Sequence, residues 1–171
     1  RKFVADLGTR VILKPLNFKG GKGIVQSGPR DRNLTSLLEG ATNFGKEKIL
    51  VQRFIDTDRH GDKRIVVLDG QILGAFLRRP SRADFRANLS AGGTMHKAAV
   101  SRRDQKIVDT LLPILNRHGL WFVGLDVIGG YLTEVNVTSP AGIPELKHFD
   151  GTRPESAVAD LIERRAGRRR F

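Results

Sequence analysis

The sequence predicts an α+β protein built as two small lobes, and three observations carry that reading. Short apolar segments of strand length dominate, two pairs of them are joined by tight glycine-bearing turns, and the helical segments are scattered instead of alternating with strands. The 171 residues are 39% hydrophobic and 28% charged, enough for a packed core and unlike a disordered chain.

Residues 11–16 read as a buried strand with Lys14 between Leu13 and Pro15, followed by the stretch Lys19-Gly20-Gly21-Lys22-Gly23 and a short apolar run from Ile24. Leu34, Leu37, Leu38 and Ala41 fall at i, i+3, i+4 and i+7 on one helix face, with Asn33 as N-cap and Gly45 beyond the end. Residues 49–55 read as a strand entering a polar loop, and the lobes are expected to meet near residue 50. Residues 64–68 and 71–77 flank Asp69-Gly70, a strong hairpin signal. Residues 79–99 read as a loop, long enough to be a functional lid. Ser101 and Asp104 form a capping box for a helix to about Arg117, which Gly119 stops and Pro113 is expected to kink or break. Residues 121–128 and 131–137 form a second hairpin across Gly129-Gly130. Thr152 with Glu155 caps a third and last helix bearing Val158, Leu161 and Ile162.

The formal net charge is +12. It is spread along the chain, with one cluster at Arg164, Arg165, Arg168, Arg169 and Arg170. A basic nucleic-acid-binding module is one reading of it. With one Trp and one Tyr, no basic-aromatic stacking platform is visible, and diffuse positive charge equally suits an enzyme acting on anions. The absence of cysteine excludes a disulfide framework, a thiolate zinc site and a thiol nucleophile. No apolar run approaches the roughly 18 residues of a membrane span, and no signal peptide is read.

Two constellations could carry chemistry. Lys14 with Gly20, Gly21 and Gly23 is a candidate phosphate site, because glycine lets backbone amides approach phosphate oxygens closely; an ordinary glycine turn beside a snorkelling lysine fits the same residues. Asp126, Glu134 and Asn136 offer hard oxygen donors suited to Mg²⁺ or Mn²⁺. Register decides whether they converge. A two-residue Gly129-Gly130 turn sets Asp126 against Thr133 and away from Glu134 and Asn136, whereas a three-residue loop or a glycine bulge sets it against Glu134, so the metal reading predicts an odd-residue connection. A hairpin with a wet polar face is the other reading. Arg53, Arg64, Arg78, Arg79 and Arg86 each carry a planar fork for carboxylate or phosphate, although each taken alone reads as a surface arginine. His60, His96, His118 and His148 have no ligand spacing, and no Ser-His-Asp triad is supported.

Several segments taken in order resemble the bacterial glutathione synthetases, ligases of the ATP-grasp superfamily. They are Val11-Ile12-Leu13-Lys14-Pro15-Leu16, Gly61-Asp62-Lys63-Arg64, Asn88-Leu89-Ser90-Ala91-Gly92-Gly93, Phe122-Val123-Gly124-Leu125-Asp126 and the block from Leu132 to Pro140. The resemblance implies an ATP-grasp fold of two lobes of mixed or antiparallel sheet with the nucleotide between them. Residues 1–50 would be part of the smaller lobe, and residues 51–171 the larger lobe with a lid at 80–99 and a metal hairpin at 121–138.

The resemblance further implies that Lys14 binds ATP phosphates, that Gly20, Gly21 and Gly23 form the phosphate loop, and that Gln52, Arg53, Phe54 and Ile55 present backbone groups to adenine. Asp62 would lie near the ribose, Arg64 and Arg79 near the acidic substrate and phosphates, and Arg86, Asn88 and Gly93 in the lid. Asp126, Glu134 and Asn136 would hold magnesium or manganese. The implied reaction is cytoplasmic glutathione formation from γ-glutamylcysteine, glycine and ATP through an acyl phosphate, with a related amino-acid ligase as the alternative. The implied partners are ATP, a small anionic amino acid or dipeptide, a glycine-like amine and a second copy of the chain in a homo-oligomer, with no membrane and with nucleic acid disfavoured. Members of the family are nearly twice as long and carry an N-terminal substrate domain, so a fragment or a split or degenerate relative is expected. The stretch from Thr94 to Ala99 also departs from the family pattern.

Overall fold

The computed structural model of the chain describes residues 1–18, 20–87 and 92–167. It divides into two compact units, Arg1–Ile55 and Asp56–Phe171.

In the first unit, β1 (Val11–Pro15) pairs antiparallel with β2 (Val25–Ser27) on one side and β3 (Ile49–Arg53) on the other. Alternation along β1 sends Val11 and Leu13 to one face. There Val25, Ile49 and Val51 join them, and α1 (Lys2–Leu7) and α2 (Leu34–Ala41) close the core with Val4 and Leu34. Ile12 and Lys14 take the opposite face, with Gln52 and Leu50 as cross-strand partners. The β1–β3 ladder runs from Val11↔Arg53 to Pro15↔Ile49. The boundary expected near residue 50 would cut through β3, and the division falls after Ile55. Asn33 occupies the N-cap position of α2 without a side-chain capping bond; its N–H donates to Asp31 Oδ1 at 2.8 Å. The helix ends at Ala41, short of Gly45, where Thr42 Oγ1 donates to the Leu38 carbonyl at 2.7 Å.

The second unit holds a five-stranded antiparallel sheet. It begins after the short helix α3 (Thr57–His60), whose N-cap Asp56 accepts from the Arg59 N–H. The strands are β4 (Asp62–Leu68), β5 (Gln71–Arg79), β6 (Thr94–Lys97), β7 (Phe122–Ile128) and β8 (Tyr131–Asn136), in the order β6-β5-β4-β7-β8. Asp69 and Gly70 both have positive φ, as the tight β4–β5 turn requires. On one face, Ile65, Val67, Ala75, Val123, Leu125 and Val127 pack with Val108 and Leu115 of α4 (Arg102–Arg117). Fully burying each such aliphatic chain contributes about 1.5–3 kcal/mol.

α4 starts on the expected box, with both reciprocal Ser101–Asp104 bonds present. It ends as expected at Gly119, where the Leu120 N–H donates to the Leu115 carbonyl at 2.9 Å and the Gly119 N–H to that of Asn116 at 3.1 Å. Pro113 does not break it. Pro113 and Asp109 are both exposed, so water can take the Asp109 carbonyl that the missing N–H leaves over.

The opposite face of the sheet is covered at one end by α5 (Ile143–Asp150), whose Leu146 packs with Val66 and Phe76. A final helix, α6 (Pro154–Gly167), buries Leu161. Its first residue is Pro154, a favoured opening position, so Thr152 lies one residue outside the expected box. Glu155 instead accepts from Lys147 Nζ at 2.9 Å. The described residues thus carry six helices, not three. The segment 79–99 is not all loop either: β6 pairs with β5 from Phe76↔Lys97 to Arg79↔Thr94. Its polar composition hides a strand whose backbone, not its side chains, finds the sheet edge.

Candidate functional site

The α5 face of the sheet divides into an apolar end under α5 and a charged end. Two bulges decide which residues reach the charged end. Simple continuation from Leu68↔Gln71 would pair Asp62 with Leu77, but the ladder slips by one at Leu73 and pairs Asp62 with Arg78. Likewise Ile128↔Tyr131 and Val127↔Leu132 would continue to Asp126↔Thr133, yet Thr133 is bulged out, so Asp126 faces Glu134 and Gly124 faces Asn136. The bulged Thr133 donates its Oγ1 hydrogen to the Asp126 carbonyl at 3.0 Å. The odd residue expected in the connection lies in the strand instead; the turn itself is the two-residue Gly129-Gly130, both at positive φ. Asp62, Arg64, Arg78, Asp126, Glu134 and Asn136 therefore share one face.

Arg64 holds Asp126 with a fork, Nε donating to Oδ1 at 2.6 Å and the second terminal nitrogen to Oδ2 at 3.2 Å, both side chains 8% exposed. Its other terminal nitrogen donates to the Ala141 carbonyl at 3.1 Å, tying the sheet to the chain leading into α5. One terminal nitrogen of Arg78 bridges two carboxylates, 2.6 Å from Asp62 Oδ2 and 2.9 Å from Asp126 Oδ1. Asn136 Nδ2 donates to Asp126 Oδ2 and to the Gly124 carbonyl, both at 3.3 Å. Gly124 leaves room for this arrangement, since a Cβ there would lie 2.9 Å from an Arg64 terminal nitrogen. Breaking a buried pair by removing one partner costs about 3–5 kcal/mol, because the other charge stays buried.

Burial pushes the Asp62 carboxyl up to about 6; the Asp126 charge adds to this, and Arg78 and Arg64 oppose it. For Arg78, burial works against the charged form, but Asp126 and Asp62 outweigh it and raise its pKa.

The donor chemistry of this face suits a hard divalent cation: two carboxylates and an amide oxygen at positions that the register brings together. Among the described residues, no three His, Cys, Asp or Glu side chains group as a metal site; here the third donor would be the Asn136 amide. The charges of Asp62, Asp126, Arg64 and Arg78 balance, and Glu134 adds one negative charge.

The other residues singled out in the sequence fall elsewhere. Arg79 lies on the opposite side of β5 from Arg78, donating to the Asp58 carbonyl at 3.4 Å. Arg86 folds back on Asp84, its Nε 3.0 Å from both carboxylate oxygens. Gly93 sits where a Cβ would come within 2.7 Å of the Ala87 carbonyl oxygen and 2.9 Å of that of Arg79, which gives it a structural reason to be glycine. Asn88, Lys19 and Arg168–Arg170 lie outside the described residues, as does part of the lid expected at 80–99.

In the first unit, Lys14 is half-buried on the face away from the apolar core. Gly20, Gly21 and Gly23 all take positive φ in the β1–β2 connection. A cleft of about 490 Å³ beside them, lined by Pro15, Phe18, Val25 and Leu37, opens on the α2 side and not on the Lys14 face. Gln52 and Arg53 end β3, and Ile55 closes the unit. Phe54 donates its N–H to the Arg10 carbonyl at 2.9 Å, and its ring lies under the Arg10 guanidinium at 4.3 Å.

At the sequence level Arg78 is named only as one of five carboxylate- or phosphate-binding arginines, and the place on this face goes to Arg79. Period-two alternation from the Asp69-Gly70 turn would have put Arg79 on the Asp62 face, and only the slip at Leu73 exchanges the two.

This architecture is that of the ATP-grasp ligases. The chain superposes on a D-cycloserine synthetase with TM-score 0.64 at 16% identity, over 82% of this chain and 52% of that one. It superposes on the ATP-grasp ligase PsnB, complexed with a phosphomimetic precursor variant, Mg and ADP, with TM-score 0.63 at 18% identity, over 94% and 48%. The D-alanine–D-alanine ligase of Bacillus anthracis gives 0.57 at 18%, over 80% and 46%.

Within that class, the chain belongs to the prokaryotic glutathione synthetase ATP-grasp domain family, whose model matches residues 1–151. It is 47% identical over 164 residues to the glutathione synthetase of Synechocystis sp., covering 96% of this chain and 51% of that protein. It is 48% identical over 153 residues to that of Thermosynechococcus vestitus, covering 90% and 48%. The chain thus spans about half the length of these relatives.

Proposed function

We propose that the chain supplies the ATP-grasp region of a glutathione synthetase, joining γ-glutamylcysteine to glycine with cleavage of ATP. The observation that carries the reading is the convergence of Asp126, Glu134 and Asn136 on one face beside the buried Arg64, in a chain of this family. A carboxylate oxygen of the dipeptide attacks the γ-phosphorus, the bond to ADP breaks, and an acyl phosphate forms. The deprotonated amine of glycine then attacks the acyl carbon, and phosphate leaves.

In the second unit, Asp126, Glu134 and Asn136 would hold Mg²⁺ or Mn²⁺, which when bound neutralises phosphate charge. Arg64 keeps Asp126 fixed in place. Arg79, Arg86, Asn88 and Gly93 are assigned to substrate and lid, and Asp62 to the ribose. In the first unit, Lys14 and the loop of Gly20, Gly21 and Gly23 are assigned to phosphates, and the backbone of residues 52–55 to adenine. Such a site works by positioning and electrostatics and needs no protein nucleophile, which agrees with a chain without cysteine. The proposed location is cytoplasmic; among the described residues no helix is long and apolar enough to cross a membrane.

The test is ADP release by the full chain with Mg²⁺, ATP and γ-glutamylcysteine. Release that requires glycine and yields glutathione supports the reading. ATP binding with no amine-dependent release contradicts it.

A further inference from the structure

The first turn of α3 divides its work between two neighbouring side chains. Asp56 supplies the cap, accepting from the Arg59 N–H at 3.1 Å, which frees the Thr57 hydroxyl to bond elsewhere. Thr57 Oγ1 donates to the Phe85 carbonyl at 2.6 Å, across 28 residues of chain. Thr57 is 7% exposed, and a hydroxyl buried this far is unfavourable unless it is bonded. α3 is itself fixed to the end of β5: a Cβ on Gly61 would lie 2.7 Å from Leu77 Cδ1 and 3.1 Å from the Arg78 carbonyl oxygen. The arm of residues 80–87 leaves β5 and returns to this platform at Phe85. Two residues on, Ala87 is 3% exposed, and its carbonyl oxygen lies where a Cβ on Gly93 would come within 2.7 Å. The arm is therefore seated on α3 and on the limb leading into β6, although its composition reads as a plain loop.

We propose that Thr57 is a positioning residue that latches residues 80–87 onto α3, and that through this arm it sets where Arg86 stands for an anionic substrate. Thr57 touches no substrate itself. The latched carbonyl belongs to Phe85, between Asp84 and Arg86, and those two form a local clasp. The Arg86 N–H donates to Asp84 Oδ1 at 2.9 Å, and Arg86 Nε lies 3.0 Å from both carboxylate oxygens. Fixing the peptide between them fixes the clasp as a unit against α3. The net contribution of one such hydrogen bond shifts an equilibrium between seated and released arm by about two- to tenfold. The substrate role of Arg86 rests on the function proposed above, whereas the latch rests on the Thr57–Phe85 bond alone.

The experiment compares the full chain with its Thr57→Val and Thr57→Ser variants in two measurements. Amide hydrogen exchange read by mass spectrometry follows residues 80–87, with β4, Asp62–Leu68, as the internal reference. Steady-state turnover gives KM for γ-glutamylcysteine and for ATP. Thr57→Val should speed exchange in residues 80–87 by about two- to tenfold and raise KM for the dipeptide by about twofold or more, leaving β4 exchange and KM for ATP within about twofold. Thr57→Ser keeps the hydroxyl and should stay close to wild type in both measurements. Should Thr57→Val fail to fold by circular dichroism, Thr57→Ala takes its place with the same expected readings. Unchanged exchange in residues 80–87, an equal rise in β4, or Thr57→Ser behaving like Thr57→Val would overturn the latch. Faster exchange in the arm with an unchanged KM for the dipeptide would overturn the positioning role. If the wild-type chain makes no glutathione, the function proposed above falls and the role of the arm toward substrate with it, while the exchange comparison still decides the latch.

Discussion

Asp126 and Glu134 stand directly opposite each other across β7 and β8, although the turn between those strands would by itself set Asp126 against Thr133. One bulged residue therefore decides whether the hairpin presents a polar triad or splits it between two faces. The Thr133 hydroxyl bond to the Asp126 carbonyl anchors the bulge.

Deleting Thr133 should convert the bulge into regular pairing and keep Asp126 opposite Glu134. Cation-dependent nucleotide affinity should then stay within a few-fold of wild type. Deleting Val135 instead puts Asn136 opposite Leu125, on the α4 face, and should abolish that dependence. Calorimetry on the two deletions distinguishes register from simple damage to the strand.

Gly124 is held by space. Gly124→Ala puts a methyl group 2.9 Å from an Arg64 terminal nitrogen and 3.3 Å from its Cδ. Arg64 is fixed by Asp126 and the Ala141 carbonyl and cannot swing clear without breaking those bonds. The expected loss is about 1–3 kcal/mol by urea unfolding. An unchanged midpoint would mean that Arg64 is freer than its bonds indicate.

The start of α4 carries a pH dependence. Burial works to raise the Asp104 pKa, but bonds from Lys63 and Ser101 outweigh it and hold the carboxyl below its ordinary 3.8. A lowered carboxylate contributes stability above its unfolded pKa and loses it as the pH falls through the folded one. Asp104→Asn should therefore cost about 1 kcal/mol at pH 7, and the gap from wild type should close below about pH 4. A gap that stays constant down to about pH 2 would show that the ionised form is not what stabilises the cap.

The single Trp reports on α6. The Arg165 guanidinium lies 3.6 Å above the Trp121 ring and donates to Asp69 Oδ1 at 2.6 Å. Trp121 is already 37% exposed, and Arg165→Ala should expose its ring further, shift its emission to the red and cost up to about 1 kcal/mol. An unchanged spectrum would contradict this docking of α6.

What was legible in the sequence was local. Asp69-Gly70, Gly129-Gly130, the Ser101–Asp104 box and Gly119 each act within a few residues, so the hairpins and α4 could be read directly. The bulges at Leu73 and Thr133 could not, because a one-residue slip is chosen by what the two faces bury. Leu73 joins the cluster of Val66, Phe76 and Leu146, which forms only once α5 is in place. β6 was hidden because a polar strand on a sheet edge has no hydrophobic period. The triad of Asp126, Glu134 and Asn136 was therefore nameable from residue type and spacing, while the Asp62–Arg78 bridge depended on a slip that no local signal marks.

The most direct test of the charged face is nucleotide affinity of the full chain against Mg²⁺ concentration, wild type beside Glu134→Ala. If Asp126, Glu134 and Asn136 hold the cation, Mg²⁺ should strengthen ATP binding in wild type, and Glu134→Ala should lose about tenfold or more of that gain with Mg²⁺-free binding intact. An identical Mg²⁺ dependence in the two proteins would contradict the assignment.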